Sequence, residues 1–578
     1  MNRLLIPCVL ILAGMAFQQW SPPTWSDAPL LPTVRHLGEW EGLTPATPSP
    51  RAIPFRVGEQ YEFPAPVQAL PGRDYRYELR YQSAHANFWF LPDSPVDEDG
   101  LQQAAAFLEA TALPLLQTAM GLGAFSGTPA DPRLQLIHDP AIGFGIQGMF
   151  RLQDYCPRWA CPSSAERALL YLSLDVAPLN SPQYQSTVLH ELQHALHFQY
   201  DGNERRWLNE GLSMLAEHWA GFDDSLIVGD NSAWYHRDPN FPWEVWSDHP
   251  MEAPRYYGGS YLLLRYLEGR FGRPFIRSLA ASPYDGWAAL HHVLQTQNPP
   301  LALEQVMAEW HLSAWEDYPQ THLTESGQLS GTLHQYTPQF YQLPSGRYHL
   351  TLQSAPTSPL ADLPASPPLL WWSYNSELSA SRLTRSVDLT QIIKARLEFS
   401  IWYDLEAGYD WAAVLISSDD GKTWQALESP AMQPADPEQG LPVPHYTGRS
   451  QGWVLQSFDL SPYVGQEIML RIEVLTDHST TLSGFFLDEL MIPALENAAD
   501  PSQWQAEGFI QTPVAIPQGW QVVVFNPQAP DEPHWITFEA DSLYEMTLET
   551  ESLLMLMPYA PFTHLPAQYQ LEVRYAAP

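Results

Sequence analysis

The sequence predicts a multidomain protein in which an α+β domain is followed by all-β sandwich domains. Three observations carry this. Up to about residue 316, strand-like runs interleave with stretches whose apolar residues recur at helical spacing. From about Leu333 the pattern changes to short, strictly alternating segments separated by turn residues. Among 578 residues, 55 prolines and 22 tryptophans favour loop-rich β-structure over long helices. A chain of this length is enough for about three or four domains, each with its own core.

The chain opens MNRLLIPCVLILAGMAFQQW. Arg3 is a short positive region, Leu4 to Phe17 an apolar run, and Gly14-Met15-Ala16 a small-residue cleavage site. That run is shorter than the roughly 20 residues a membrane-spanning helix needs. Residues 1–17 therefore read as a signal peptide, with an uncleaved anchor as the alternative, and predict a secreted or cell-surface protein. No later apolar run approaches membrane length, so no stable membrane insertion is expected after signal removal. Residues 18–75 are proline-rich and aperiodic, either a candidate propeptide or a wrap around the next domain. Beyond the leader, Cys156 and Cys161 are the remaining cysteines. In an exported chain this isolated pair reads as a local disulfide; a metal-binding pair would lack partners.

Residues 76–325 carry the α+β pattern. Strands are expected at Tyr75 to Gln82, Ala86 to Leu91, Leu134 to His138, Gly148 to Leu152 and Leu169 to Val176, with a helix over Asp97 to Met120. Gly148 to Leu152 is the candidate edge strand for pairing with an extended peptide.

The stretch STVLHELQHALHFQYDGNERRWLNEGLSMLAE, residues 186–217, contains His190-Glu191-Leu192-Gln193-His194 and then Glu210. Ser181-Pro182 supplies an N-cap and a proline at the first helical position, and Asp201-Gly202 a stop. The helix between would span about nineteen residues. Residues four apart share a helix face, so His190 and His194 can present two imidazoles to one metal ion. Glu191, one step around, can act on water instead. This is the zinc-hydrolase arrangement of two histidines, a carboxylate base and a third ligand from elsewhere. A second helical pattern from Trp207 to about Gly221 carries Glu210 back as that third ligand. A third histidine six residues after His194 would be the rival, but Tyr200 stands there, and His197 lies outside the expected ligand set.

HELQH followed by WLNEGLSMLAE resembles the gluzincin metallopeptidases, and the fifteen-residue gap between His194 and Glu210 is closer to their hyicolysin-like secreted members. The resemblance implies a zincin-like catalytic domain that hydrolyses polypeptide substrates. It implies Zn2+ held by His190, His194 and Glu210, with Glu191 as general base. Where one branch of the family has an aspartate four residues after the glutamate ligand, this chain has Met214. Glu217 can stand in as the carboxylate behind a histidine; an exposed helical glutamate is the alternative. Arg255-Tyr256-Tyr257-Gly258-Gly259-Ser260 resembles the Tyr-x-x-Gly-Ala element whose tyrosine donates to an oxyanion. By position Tyr256 matches, with Tyr257 in reserve.

The formal charge of −37, with Lys394 and Lys422 the only lysines, disfavours binding to nucleic acid and to anionic membranes. It suits a soluble extracellular protein, with Ca2+ as a candidate structural ion.

Residues 335–366 form a further β segment. Within 367–494, the alternation of Leu397, Phe399 and Ile401, and of Ile468, Leu470, Ile472 and Val474, marks sandwich strands. The phrases Ser418 to Trp424 and Gly484 to Glu489 resemble the jelly-roll module of immune-inhibitor-A-type peptidases. Such modules bind calcium, carbohydrate or extracellular protein. Asp404, Asp410 and Asp488 are conceivable calcium ligands, with turn capping the simpler reading. Residues 500–578 hold more strands, which can pair with Gly346 to Leu352 and make the jelly roll an insertion. The rival function is an extracellular binding or adhesion protein built on a catalytically degenerate protease scaffold.

Overall fold

A computed structural model describes residues 28–29, 54–66, 73–123, 132–140, 142, 146–155, 164–247, 249–323, 325–364, 369–436, 443–477, 480–536 and 543–576. The expected signal peptide and the Cys156–Cys161 pair lie outside the described residues, as does most of the proline-rich segment.

The first sheet has six strands: β1 (Gln60–Glu62), β2 (Arg76–Gln82), β3 (Ala86–Phe90), β4 (Leu134–Asp139), β5 (Gly148–Phe150) and β6 (Leu169–Ser173). Their order is β1-β2-β3-β4-β6-β5, with β3, β4 and β6 parallel and β5 antiparallel to β6 at one edge. The parallel strands are buried on both faces and mostly apolar, as expected of strands covered on both sides. Phe88, Phe90, Leu136, Leu170 and Leu172 face the helices. Trp89, Ile137, Leu169 and Tyr171 face the other way, where Phe55 and Phe63 cover them. Phe55 and Phe63 lie edge-on to Trp89 at 4.8 and 5.0 Å, so this part of the proline-rich segment is built into the sheet.

The helix expected over Asp97 to Met120 begins at Glu98 with Asp97 as its N-cap, is regular to Phe107, and continues to Met120 largely in wider i→i+5 turns. The motif helix, Pro182–His197, starts at Ser181, whose hydroxyl accepts from the Tyr184 amide at 3.1 Å. Tyr184 also donates to His138 Nε2 at 2.8 Å, tying the helix to β4. A short loop leads to the glutamate helix, Arg206–Trp219. A long helix, Ala253–Phe271, packs behind it. Small residues allow the close packing: a Cβ on Gly211 would stand 3.1 Å from Leu264 Cγ of the long helix, and one on Gly258 would stand 2.2 Å from the Asn231 carbonyl oxygen of a further helix, Asn231–Arg237.

Two β-sandwiches follow. Two five-stranded sheets spanning Leu370 to Thr512 enclose a core that includes Phe399, Ile401, Ile472, Val474 and Phe485. The second sandwich joins distant parts of the chain. Gly346–Ser354 pairs with Ala567–Ala576, and Gln339–Leu343 pairs with Ser552–Tyr559. The first sandwich is thus inserted between strands of the second. An unbroken apolar cluster links the motif helix (Leu189, Leu192) to Trp372, Tyr374 and Phe486 of the inserted sandwich.

The three aspartates considered for calcium have other partners. Asp410 accepts the Asp477 amide at 2.8 Å, Asp488 accepts the Glu489 amide at 2.8 Å, and Asp404 lies 3.9 Å from Arg449. Among the described residues they do not form a metal-holding group.

Candidate metal centre and active site

The helical spacing of the motif does what it predicts. His190 and His194 sit one turn apart with ring centroids 4.8 Å from each other. The antiparallel return of the glutamate helix places Glu210 Oε2 3.1 Å from His190 Nε2 and 3.6 Å from His194 Nε2. One ligand atom from each residue lies within 4.8 Å of the others.

The donor set fits a metal ion. Glu217 Oε1 lies 2.8 Å from His190 Nδ1, which fixes the neutral ring with its proton on Nδ1. The Nε2 lone pair then faces the Glu210 carboxylate, two electron-rich atoms that need a cation between them. Without one, a proton takes that place. Burial disfavours the His190 imidazolium, but hydrogen bonds to Glu210 and Glu217 outweigh it and raise the pKa well above the ordinary imidazole value. Burial likewise opposes ionisation of Glu210. The His194 charge and the His190 hydrogen bond overcome it, so this carboxyl stays well below its usual range.

Glu217 is buried, not an exposed helical residue, and its second oxygen accepts from Ser186 Oγ. His194 Nδ1 donates to Asn209 Oδ1 at 3.2 Å. His197 stands apart from the metal group, with Nε2 donating to the Ala280 carbonyl at 3.1 Å. Asn209 was missed in the sequence reading, although it immediately precedes Glu210 in the WLNEG phrase. Ser213, whose hydroxyl donates to Gln193, was missed as well.

Glu191 is 8% exposed, and its Oε2 accepts the Phe150 amide of β5 at 2.8 Å. Burial raises its pKa, while the two neighbouring histidines pull it down. Strand β5 lies directly on the motif helix: a Cβ on Gly148 would meet Thr187 Cγ2 at 2.4 Å and Glu191 Cγ at 2.9 Å.

The two tyrosines diverge. Tyr256 packs between Phe241 and Trp246, with ring centroids at 4.5 and 5.1 Å, and burial pushes its pKa up to about 12. Tyr257 lies within electrostatic reach of Glu210. Its pKa is raised first by the charge of Glu210 and then by burial, while the Arg206 guanidinium opposes both. Arg206 Nε itself stands 3.8 Å from Glu210 Oε1. Adjacent helical residues point about 100° apart, so only one of the pair can face the site.

The inserted sandwich has recognisable relatives. Residues 354–513 match the family described as the immune inhibitor A-like MAM domain. Over these residues the chain is similar to immune inhibitor A-like modules. Among curated proteins, the chain is 28% identical over 152 residues to pre-pro-metalloprotease PrtV of Vibrio cholerae serotype O1, covering 25% of this chain and 16% of that one. It is 26% identical over 133 residues to immune inhibitor A of Bacillus thuringiensis subsp. alesti, covering 21% and 18%. The chain thus spans less than a fifth of either relative. Among solved structures, an M1 zinc metallopeptidase mutant of Deinococcus radiodurans bound to a Tyr-Ser-Ala substrate covers 44% of this chain and 51% of its own. It shares 15% identity at a TM-score of 0.25, too low to carry any argument. Besides the module, the chain contains the group His190, His194 and Glu210, which can hold a metal ion. No helix among the described residues is long and apolar enough to cross a membrane.

Proposed function

We propose that the protein is a secreted zinc metallopeptidase, with His190, His194 and Glu210 as metal ligands. The observation that carries this reading is the convergence of those three side chains within 4.8 Å, with buried Glu191 on the same helix. Two imidazoles and one carboxylate are the donor set of catalytic zinc sites that keep an open position. Zinc held there supplies Lewis acidity, polarising a carbonyl and lowering the pKa of water toward about 7.

The chain's own groups supply the rest. Glu191 takes a proton from the attacking water and passes it to the leaving amine. The Phe150 amide holds Glu191 Oε2, which leaves Oε1 for that transfer. Tyr257, not Tyr256, donates its hydroxyl proton to the oxyanion that develops at the scissile carbonyl. Glu217 and Asn209 hold the two histidines by their far nitrogens, which fixes ring orientation. The edge strand β5 offers backbone groups to an extended peptide, an arrangement that favours an endopeptidase.

The test is metal content together with proteolysis. Purified protein should hold one zinc, cleave casein, lose cleavage on chelation and regain it with zinc. Stoichiometric zinc without cleavage of any protein or peptide substrate would contradict the peptidase reading. Absence of zinc would contradict the ligand assignment.

A further inference from the structure

His197 is the last residue of the motif helix and is buried, with 1% of its surface exposed. Its Nδ1 lies 3.2 Å from Asn209 Oδ1, and its Nε2 lies 3.1 Å from the Ala280 carbonyl oxygen. Both neighbours are acceptors, so the ring satisfies the two contacts together as a double donor. Ala280 closes the helix Arg273–Ala280, and the carbonyl end of a helix favours a positively charged partner.

Asn209 Oδ1 also lies 3.2 Å from His194 Nδ1, so one carbonyl oxygen joins the two rings. A primary amide keeps nearly the same shape when its oxygen and nitrogen change places, and its neighbours fix which end is presented. With the oxygen forward, His194 carries its proton on Nδ1. Its Nε2, 3.6 Å from Glu210 Oε2, then keeps the lone pair for a metal ion. With the nitrogen forward, the amide donates to Nδ1 and His194 must carry its proton on Nε2, where it blocks the metal. That reversal also sets an N–H of Asn209 against the Nδ1–H of His197. Ser213 Oγ lies 3.3 Å from His194 Nδ1, gives its own proton to Gln193, and so meets the ring as a further acceptor.

We propose that His197 is a positioning residue for the metal centre: by donating to Asn209 Oδ1, it holds the amide in the orientation that gives His194 its metal-binding tautomer. The proposal rests on the ligand assignment above. It places Ala280, His197, Asn209 and His194 in one hydrogen-bonded chain that runs from the end of the helix Arg273–Ala280 to the metal position.

The experiment uses the full chain and reads zinc affinity by competition with a chelator. His197→Phe keeps a ring in place and removes both donors. It should weaken zinc binding by about tenfold, the scale of one hydrogen bond. Asn209→Ala removes the bridge, and in that background His197→Phe should change affinity by less than about twofold. His197→Gln restores a donor toward Asn209 and should bind zinc within about threefold of wild type. A packing role alone would cost the same in both backgrounds, and glutamine would not rescue it. If His197→Phe does not fold, His197→Met takes its place in the same cycle. Equal losses in the two backgrounds, or wild-type affinity without a donor at position 197, would overturn the positioning role alone. Wild type that binds no zinc would instead overturn the ligand assignment, and the positioning role with it.

Discussion

His190 Nδ1 lies 2.8 Å from Glu217 Oε1, a contact between residues 27 positions apart on two different helices. It decides which imidazole nitrogen faces the metal group, and it joins the two ligand-bearing helices from behind. Replacing Glu217 by glutamine leaves the shape and removes the charge. Zinc affinity should fall by about 10- to 100-fold, the usual cost of losing such a partner. Chelator competition on the folded variant measures this, and unchanged affinity would count against the contact.

Tyr257 and Tyr256 predict opposite phenotypes. Tyr257→Phe should lower kcat by about 10²-fold with KM little changed, as expected for a donor that acts on the oxyanion. Tyr256→Phe keeps the ring between Phe241 and Trp246 and should leave kcat within about threefold of wild type. Steady-state kinetics on one peptide substrate distinguishes them.

Gly148→Ala tests the seating of β5 on the motif helix. The added methyl would press on Thr187 Cγ2 and Glu191 Cγ, so the strand must move away. The expected cost is about 1–3 kcal/mol of stability, together with a fall in activity as the Phe150 amide leaves Glu191. Thermal unfolding and kcat/KM report the two effects separately.

In the inserted sandwich, burial pushes the Asp410 pKa up to about 8, and the charges of Asp477 and Glu406 add to the rise. In the unfolded chain this carboxyl titrates near its ordinary value of 3.8. Between those values the folded state holds a proton that the unfolded state has released. This group's contribution to stability therefore declines as pH rises from about 4 to about 8. Asp410→Asn keeps the site neutral at all pH values and should flatten that part of the decline. Melting temperature against pH, for wild type and variant, checks it.

The metal group was legible because its chemistry repeats locally. Four-residue spacing on a capped helix with apolar flanks puts His190 and His194 on one face whatever surrounds them. Glu210 could be matched by resemblance, and the structure brings it to the histidines. The choice between Tyr256 and Tyr257 was not legible. It depends on how the helix Ala253–Phe271 rotates when Gly258 meets the backbone at Asn231, and no local pattern encodes that contact. Alternation revealed the sandwich strands themselves. The pairing of Gly346–Ser354 with Ala567–Ala576 is a long-range choice that the sequence suggested only by similarity of pattern.

The most direct test of the central claim is zinc content and peptide cleavage measured together on wild type and Glu191→Gln. Glu191 is buried beside the ligands and is not among the three that converge on the metal position. The account predicts one zinc per chain in both proteins and a loss of cleavage of at least about 10²-fold in the variant. Wild-type cleavage by a zinc-loaded Glu191→Gln protein would contradict it.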